Sequence, residues 1–470
     1  MCNKVVLDDS IANIALPTIQ NELAIPSATL PWVINAYILA FGGLLLFGGR
    51  LGDLFGRRHL LRIGMALFTL GSLFAGLAQD GTSLIAARGL QGLGAALTAP
   101  NALALIATTF PEGPLRSKAM AVYGGMSALG IVLGLLLGGV LTSTLGWRWV
   151  FFINIPIGLA VLAGSRILAE AELHRGRIDL AGALTSICGM TALVYGLTRG
   201  GEHGWGDPVT LLAFAGAAVL LPLFLILQAC AKSPLLPMRL FADRNRTGSY
   251  LATAFLAFGP MGAFYLLTLY MQHIETYSPI ATGLAWLPFA MGLALGAGIS
   301  SKLVLRFAPR QVAAPGALMA AAALLWLSRV GQDFTYAIDF LPAAFVLGFG
   351  FAMGVVSLTL TAVKGVAVQE TGIASALLNA SQQIGVAFGL AVLSTVSVTA
   401  TASHMPDALT ALYGARARGN AHTASLAGDA LIHGYGLGLV VAAIALVSAA
   451  LIVAVLVNAK RDQPDAATPH

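Results

Sequence analysis

Apolar runs of membrane length recur from one end of the chain to the other, separated by short stretches that hold most of its charge. An α-helix needs about 20 consecutive apolar residues to cross a bilayer. On that rule the chain divides into residues 5–20, 30–49, 60–78, 83–109, 118–144, 148–168, 178–198, 208–230, 247–271, 280–301, 311–328, 338–361, 372–399 and 431–457. The pattern predicts an all-α polytopic membrane protein of fourteen spans, and an even count puts both termini on one side.

Composition excludes a soluble fold: 57% of the residues are hydrophobic and 10% charged, where a soluble protein carries about 25% charge. The mean hydropathy is +0.83. With both termini inside, the inner segments hold 20 of the 26 Lys and Arg residues, against four outside, namely Arg199, Arg329, Arg416 and Arg418. Basic residues are held back on the cytoplasmic face during insertion, so both termini are expected to be cytoplasmic. The net charge of +6 is scattered over the inner segments and therefore reports topology, not nucleic-acid binding. Cys2, Cys188 and Cys230 have no metal-type spacing and are expected to be small core residues. No nucleotide loop, metal cluster, catalytic triad or cleavable signal is visible, so neither enzyme activity nor ATP-driven transport has support.

Spans two and three are joined by a tight charged turn of eleven residues, Gly49-Arg-Leu-Gly-Asp-Leu-Phe-Gly-Arg-Arg-His59. A faded copy, Ser301-Lys-Leu-Val-Leu-Arg-Phe-Ala-Pro-Arg310, follows 252 residues later, and Gly92-Leu-Gly94 recurs as Gly348-Phe-Gly350. Such echoes are what duplication of a six-helix unit leaves behind. They divide the chain into an N-terminal half (1–168), a linker with two inserted helices (169–232) and a C-terminal half (233–470). The longest exterior segment, Thr401 to Ala430, is polar and is expected to be mobile.

The order Gly49, Asp53, Gly56, Arg57, Arg58 resembles the signature loop of the major facilitator superfamily of transporters. Three further segments are similar to its fourteen-span drug:proton antiporter branch: Leu7-Asp-Asp-Ser-Ile-Ala-Asn-Ile-Ala-Leu-Pro17, Ala87-Arg-Gly-Leu-Gln-Gly-Leu-Gly-Ala-Ala96 and Trp147-Arg-Trp-Val-Phe-Phe-Ile-Asn-Ile-Pro-Ile-Gly158. Leu135 departs from the branch, standing where exporters usually carry Pro. Ahead of Asp8 the chain offers only Met1 to Leu7, so the first helix is expected to be short or to begin upstream. The resemblance implies proton-coupled efflux of hydrophobic or amphipathic drugs by alternating access. It implies a small lipophilic substrate and protons as partners, no cofactor beyond the proton gradient, function as a monomer, and residence in the bacterial cytoplasmic membrane. A proton-linked permease for a small metabolite or siderophore, or a transport-dead receptor, is the alternative.

A carboxylate within the bilayer costs on the order of 3 kcal/mol, which makes Asp8 a candidate proton carrier, the other possibility being a solvated first-turn acid. Arg88 is the one basic residue well inside a span, and its counterpart in the second half, Ala344, is neutral. The resemblance implies a role for Arg88 in proton transfer with Asp8 as partner, and Gln91, one turn on, is placed to bridge to it. Asp53 is expected to act as a latch with Gly49, Gly56, Arg57 and Arg58 at the inner gate. Gly130, Gly134, Gly138 and Gly139 are expected to pack helices between the halves. Asn13, Trp32, Asn35, Tyr37, Asn379, Gln382 and Gln383 are candidates for the substrate cavity, where mixed aromatic and amide groups suit bulky, partly apolar ligands.

Overall fold

A bilayer core leaves no water to satisfy backbone N–H and C=O groups, and the helix satisfies them within one segment. The computed structural model describes residues 2–109, 130, 133–165, 179–231, 234–236, 238–304, 306–364 and 371–458, and these are helical almost throughout. The N-terminal helices are α1 (Cys2–Leu23), α2 (Trp32–Phe55), α3 (Arg57–Gly76), α4 (Gly81–Thr109), α5 (Leu133–Thr144), α6 (Arg148–Phe152) and α7 (Asn154–Gly164). A pair follows, α8 (Leu180–His203) and α9 (Pro208–Cys230). The remainder is α10 (Arg244–His273), α11 (Pro279–Ala285), α12 (Leu287–Leu303), α13 (Pro309–Leu327), α14 (Leu341–Val363), α15 (Thr371–His404), α16 (Ala408–Ala417) and α17 (Ala421–Leu456). Among the described residues, ten helical segments are long and apolar enough to cross a membrane, and Trp32–Leu45, Leu133–Thr144 and Arg148–Gly164 are shorter apolar stretches. The count of fourteen and the side of the termini rest on the sequence pattern alone.

The internal repeat reappears as helix packing. A side chain at Gly92 would strike the Tyr37 carbonyl on α2, and one at Gly94 would strike Gly64 and Phe68 on α3. In the second half Gly348 lies against the Phe289 carbonyl on α12, and Gly350 against Gly316 and Ala320 on α13. Tyr37 and Phe289 are 252 residues apart, as are Gly64 and Gly316, the spacing of the repeated loop.

Three expectations are corrected. The segment 49–59 is not an eleven-residue turn: α2 continues through Phe55, α3 starts at Arg57, and Gly56 alone makes the corner at φ 98°, ψ 124°. No proline interrupts α2 before Gly56, and Gly48 and Gly52 pack against Ala96 and Asn101 of α4, so the helix runs past the apolar stretch into the charged one. The segment 401–430 is folded, because α15 extends to His404, α16 occupies Ala408–Ala417 and α17 begins at Ala421. Cys188 and Cys230 are exposed on the helix surface and are not core residues.

The pair α8 and α9 is clamped at both ends. Asp179 caps α8 by accepting from Gly182 N (2.8 Å), and its other oxygen accepts from Gln228 Nε2 (2.6 Å) at the end of α9. Arg199 Nε donates to Asp207 (2.8 Å), which also caps α9 through Val209 N and Thr210 N. The Arg199 guanidinium and the Thr210 amide hold the Asp207 carboxyl down at about 2. α8 lies against both halves: Thr198 Oγ1 accepts from Trp32 Nε1 on α2 (3.1 Å), and the Leu197 carbonyl accepts from Thr395 Oγ1 on α15 (3.2 Å). α9 packs on α8 and exposes Leu211, Leu212, Val219 and Ile226 on its other faces.

The corner at Gly56 combines with the space beside Gly49 to give a paired prediction. A Gly56→Ala change forces a side chain into positive φ and is expected to cost about 1–3 kcal/mol. Gly49→Ala, in mid-helix with Pro100 Cβ no nearer than 3.5 Å, is expected to be neutral or to stabilise by up to about 1 kcal/mol. Thermal unfolding of the two purified variants beside the parent checks both signs.

Candidate transport site

Arg88 is fully buried on α4. Its Nε donates to the Val33 carbonyl on α2 (2.8 Å) and its Nη1 to Gln91 Oε1 (3.1 Å), while the guanidinium lies over the Tyr37 ring, 4.4 Å from the centroid. Gln91 Nε2 donates to Ser72 Oγ on α3 (2.7 Å), and the Ser72 hydroxyl donates in turn to the Phe68 carbonyl (2.9 Å). A polar chain of Arg88, Gln91 and Ser72 thus crosses from α4 to α3, with both ends tied to backbone. The predicted Arg88–Gln91 pair is brought together; Val33 and Ser72 were not anticipated, since a backbone carbonyl and a lone serine carry no sequence signal. α1 passes α4, but the Asp8 side chain lies outside the described residues.

The other candidates separate into groups. Tyr37 is fully buried beneath Arg88, so it lines the arginine site instead of an open cavity. Trp32 is bound by Thr198 and rests against the Tyr195 ring (6.1 Å) of the inserted pair. Asn35 on α2 is fully buried, and among the described residues neither amide atom has a hydrogen-bond partner; Asn13 Oδ1 on α1 likewise has none there. Buried amides are normally satisfied, so both are suited to receive a polar group of a ligand. On α15, Asn379 is exposed and Gln382 and Gln383 are half-buried, Gln383 lying against Gly42 of α2 where the halves meet.

The halves touch at the end of the bundle away from the termini. Gln272 Nε2 on α10 donates to the Ile14 carbonyl on α1 (3.0 Å), and Ile280 N donates to Ser143 Oγ (3.2 Å). Gly139 on α5 lies against Pro279 and Ile280, while Gly283 on α11 lies against the Leu135 carbonyl. Gly139 therefore packs across the halves. Gly138 faces Ile11 of α1 within its own half, and Gly130 and Gly134 are buried. At the other end Asn101 Nδ2 on α4 donates to Gly48 O (3.0 Å), and its Oδ1 occupies the space a side chain at Gly52 would need. Arg57 and Arg58 are half-buried beside that junction, and the Asp53 side chain lies outside the described residues. Among the described residues no cluster of side chains fits a metal ion. A hollow of about 550 Å³ between α3 and α4, lined by Phe74, Leu77, Asp80, Ser83 and Leu90, sits on the face of α4 turned away from Arg88.

Residues 5–390 match the profile of the Major Facilitator Superfamily. The chain belongs to that family. It is 39% identical to a puromycin resistance protein of Streptomyces alboniger over 98% of this chain and 90% of that protein. It is also 39% identical to a cephamycin export protein of Amycolatopsis lactamdurans, over 87% of this chain and 85% of the relative. A tetracenomycin C resistance and export protein of Streptomyces glaucescens is 33% identical over 86% and 75%. Among solved structures, an autoinhibited POT family peptide transporter superposes with a TM-score of 0.67 at 15% identity, covering 96% of this chain and 95% of that one. A bacterial homologue of the lysosomal transporter Spinster, in an inward-facing and occupied conformation, gives 0.64 at 18%, covering 97% and 94%. These two likenesses establish the major facilitator fold. The chain is accordingly a multi-pass transporter of the bacterial inner membrane and not an enzyme.

The buried relay supplies its own test. Gln91→Leu removes the acceptor of Arg88 Nη1 and the donor to Ser72, and leaving buried polar groups unpaired costs about 1–3 kcal/mol, more for a charged one. Thermal unfolding of purified Gln91→Leu is expected to show that loss, whereas Gln79→Leu, outside the relay, is expected to match the parent.

Proposed function

We propose that this transporter exports hydrophobic or amphipathic antibiotics in exchange for protons, by alternating access between its two halves. The observation that carries the reading is a guanidinium held fully buried by Val33 O, Gln91 and the Tyr37 ring in a family member whose relatives are named for drug resistance and export. A permanently charged group at that depth is expensive, and the second half holds a neutral, buried Ala344 at the matching place, so packing alone does not call for it. Asp8 is the proposed proton carrier. A guanidinium does not release its proton, and its part is to favour the ionised form of a carboxylate nearby. The driving force is the proton-motive force, about 2.3 kcal/mol per proton for each 100 mV, plus the pH difference. Asn13, Asn35, Asn379, Gln382 and Gln383 are the proposed polar contacts for the substrate, with Asp53 and the Gly49–Arg58 corner as the gate at the terminal end.

The test is proton movement in inverted vesicles on addition of puromycin, a cephamycin and tetracenomycin C. Substrate-induced proton release is expected from the parent, with a loss of at least about tenfold in Asp8→Asn, which removes the proton carrier, and in Arg88→Ala, which removes the charge that tunes it. Transport of drug without proton release would defeat the antiport reading.

A further inference from the structure

On the C-terminal side, the closed end of the bundle is made by a single segment: the last turn of α10, residues 274–278 and α11. It carries Gln272, Pro279, Ile280 and Gly283, which meet Ile14, Ser143, Gly139 and Leu135 of the other half. A cluster beneath α16 pins that segment to its own half. Arg416 donates through Nη1 to the His273 carbonyl (2.6 Å) and through Nη2 to the Ile274 carbonyl (3.0 Å), covering oxygens that the end of α10 leaves without intrahelical partners. His273, the neighbour of Gln272, is 1% exposed. Its Nδ1 lies 3.3 Å from Tyr435 Oη on α17, its ring stands edge-on to Tyr413 of α16 at 6.0 Å, and its Nε2 is buried with no hydrogen-bond partner among the described residues.

We propose that His273 is a proton-binding site that releases the contact between the halves at the end away from the termini. A neutral imidazole has one donor and one acceptor nitrogen, and a proton from bulk water taken on the acceptor makes both donors and adds a positive charge. That charge arises in the residue whose carbonyl already holds the permanent cation of Arg416. The titratable and charged groups around the ring are Tyr270 and Glu275 from α10 and the segment after it, Tyr413 and Arg416 from α16, and Tyr435 from α17. The Tyr270 hydroxyl has one proton, directed at the Gly331 carbonyl (2.7 Å) and only weakly shared with the Glu275 carboxylate (3.2 Å), which also lies within electrostatic reach of Arg416. His404 and His433 stack on each other, 4.1 Å between centroids, and His433 lies on the opposite side of α17 from Tyr435. The imidazolium would be buried while the Arg416 guanidinium is exposed at the rim of the cluster, and the two like charges repel. The bonds from Arg416 to the end of α10 loosen, α16 gives way, and Gln272 is drawn off Ile14. This inference rests on the position of the closing segment and not on the coupling proposed for Asp8 and Arg88.

The experiment reads the gate without transport. In a background with Cys2, Cys188 and Cys230 replaced by Ser, spin labels are attached at Thr144→Cys on α5 and Thr276→Cys in the closing segment. The distance between them is measured in nanodiscs by pulsed electron paramagnetic resonance from about pH 8 down to about pH 3.5, a window carried below the usual imidazole range because burial opposes the charged form. The parent is expected to shift from a short to a longer distance as the pH falls. His273→Phe is expected to keep the short distance throughout, and Arg416→Gln to show the longer one at every pH. If the Phe variant does not purify as folded protein, His273→Gln, polar but not titratable in this range, takes its place with the same expected result. A parent that does not respond to pH, a response that survives loss of the imidazole, or an Arg416→Gln variant that stays closed would overturn the proposal.

Discussion

Close approach of helices through glycine is the constraint on which the rest of this bundle depends. Lipid is as apolar as leucine, so burying side chains of one helix on another gains little in a membrane, and close backbone packing takes over. Gly92 beneath the Tyr37 carbonyl and Gly48 beneath the Ala96 carbonyl bring α2 onto α4; Gly348 and Gly292 do the same for α14 and α12. The first of these contacts also builds the site, because it sets the Val33 carbonyl 2.8 Å from Arg88 Nε and the Tyr37 ring over the guanidinium. A larger residue at position 92 would separate the arginine from both.

Arg88 then turns a packing solution into chemistry. A buried charge is tolerated only when its hydrogen-bonding groups are matched, and here a carbonyl, an amide and an aromatic face supply the match from two helices. The second half keeps the glycine frame and lacks the charge, with Ala344 at the corresponding depth. The two halves therefore share architecture but divide the labour: one holds the arginine relay, while the other closes the distal end through Gln272 and Ile280. The inserted α8 touches both through Trp32 and Thr395, so it lies along their seam.

Much of this was legible in the sequence, for identifiable reasons. Spans show as apolar length because the bilayer has a fixed thickness, and the repeat shows because the glycines of α4 and α14 are held by backbone contacts that nothing larger tolerates. The Arg88–Gln91 pair follows from helical spacing. What stayed hidden lies outside the reach of hydropathy. α16 is ten residues long, about half of what a span needs, and the first turns of α17 are polar, while α2 runs on through Asp53 because no proline stops it before Gly56. Trp32 pairs with Thr198 across 166 residues, a contact that only the docking of α8 creates. Gly283 was missed because one glycine gives no periodicity; its partner Gly139 was found because it sits in a glycine-rich run.

The account stands or falls on whether the α2–α15 face is reached from one side of the membrane at a time. Asn379 is exposed on α15, one turn from Gln383, and a cysteine placed there reports on it in a background free of other thiols. Labelling by a membrane-impermeant maleimide in right-side-out and inverted vesicles is the most direct measurement. The account predicts modification only from the side of the termini at rest, with access passing to the opposite side when substrate and a proton gradient are supplied. Modification from both sides at once, or from one side under every condition, would contradict it.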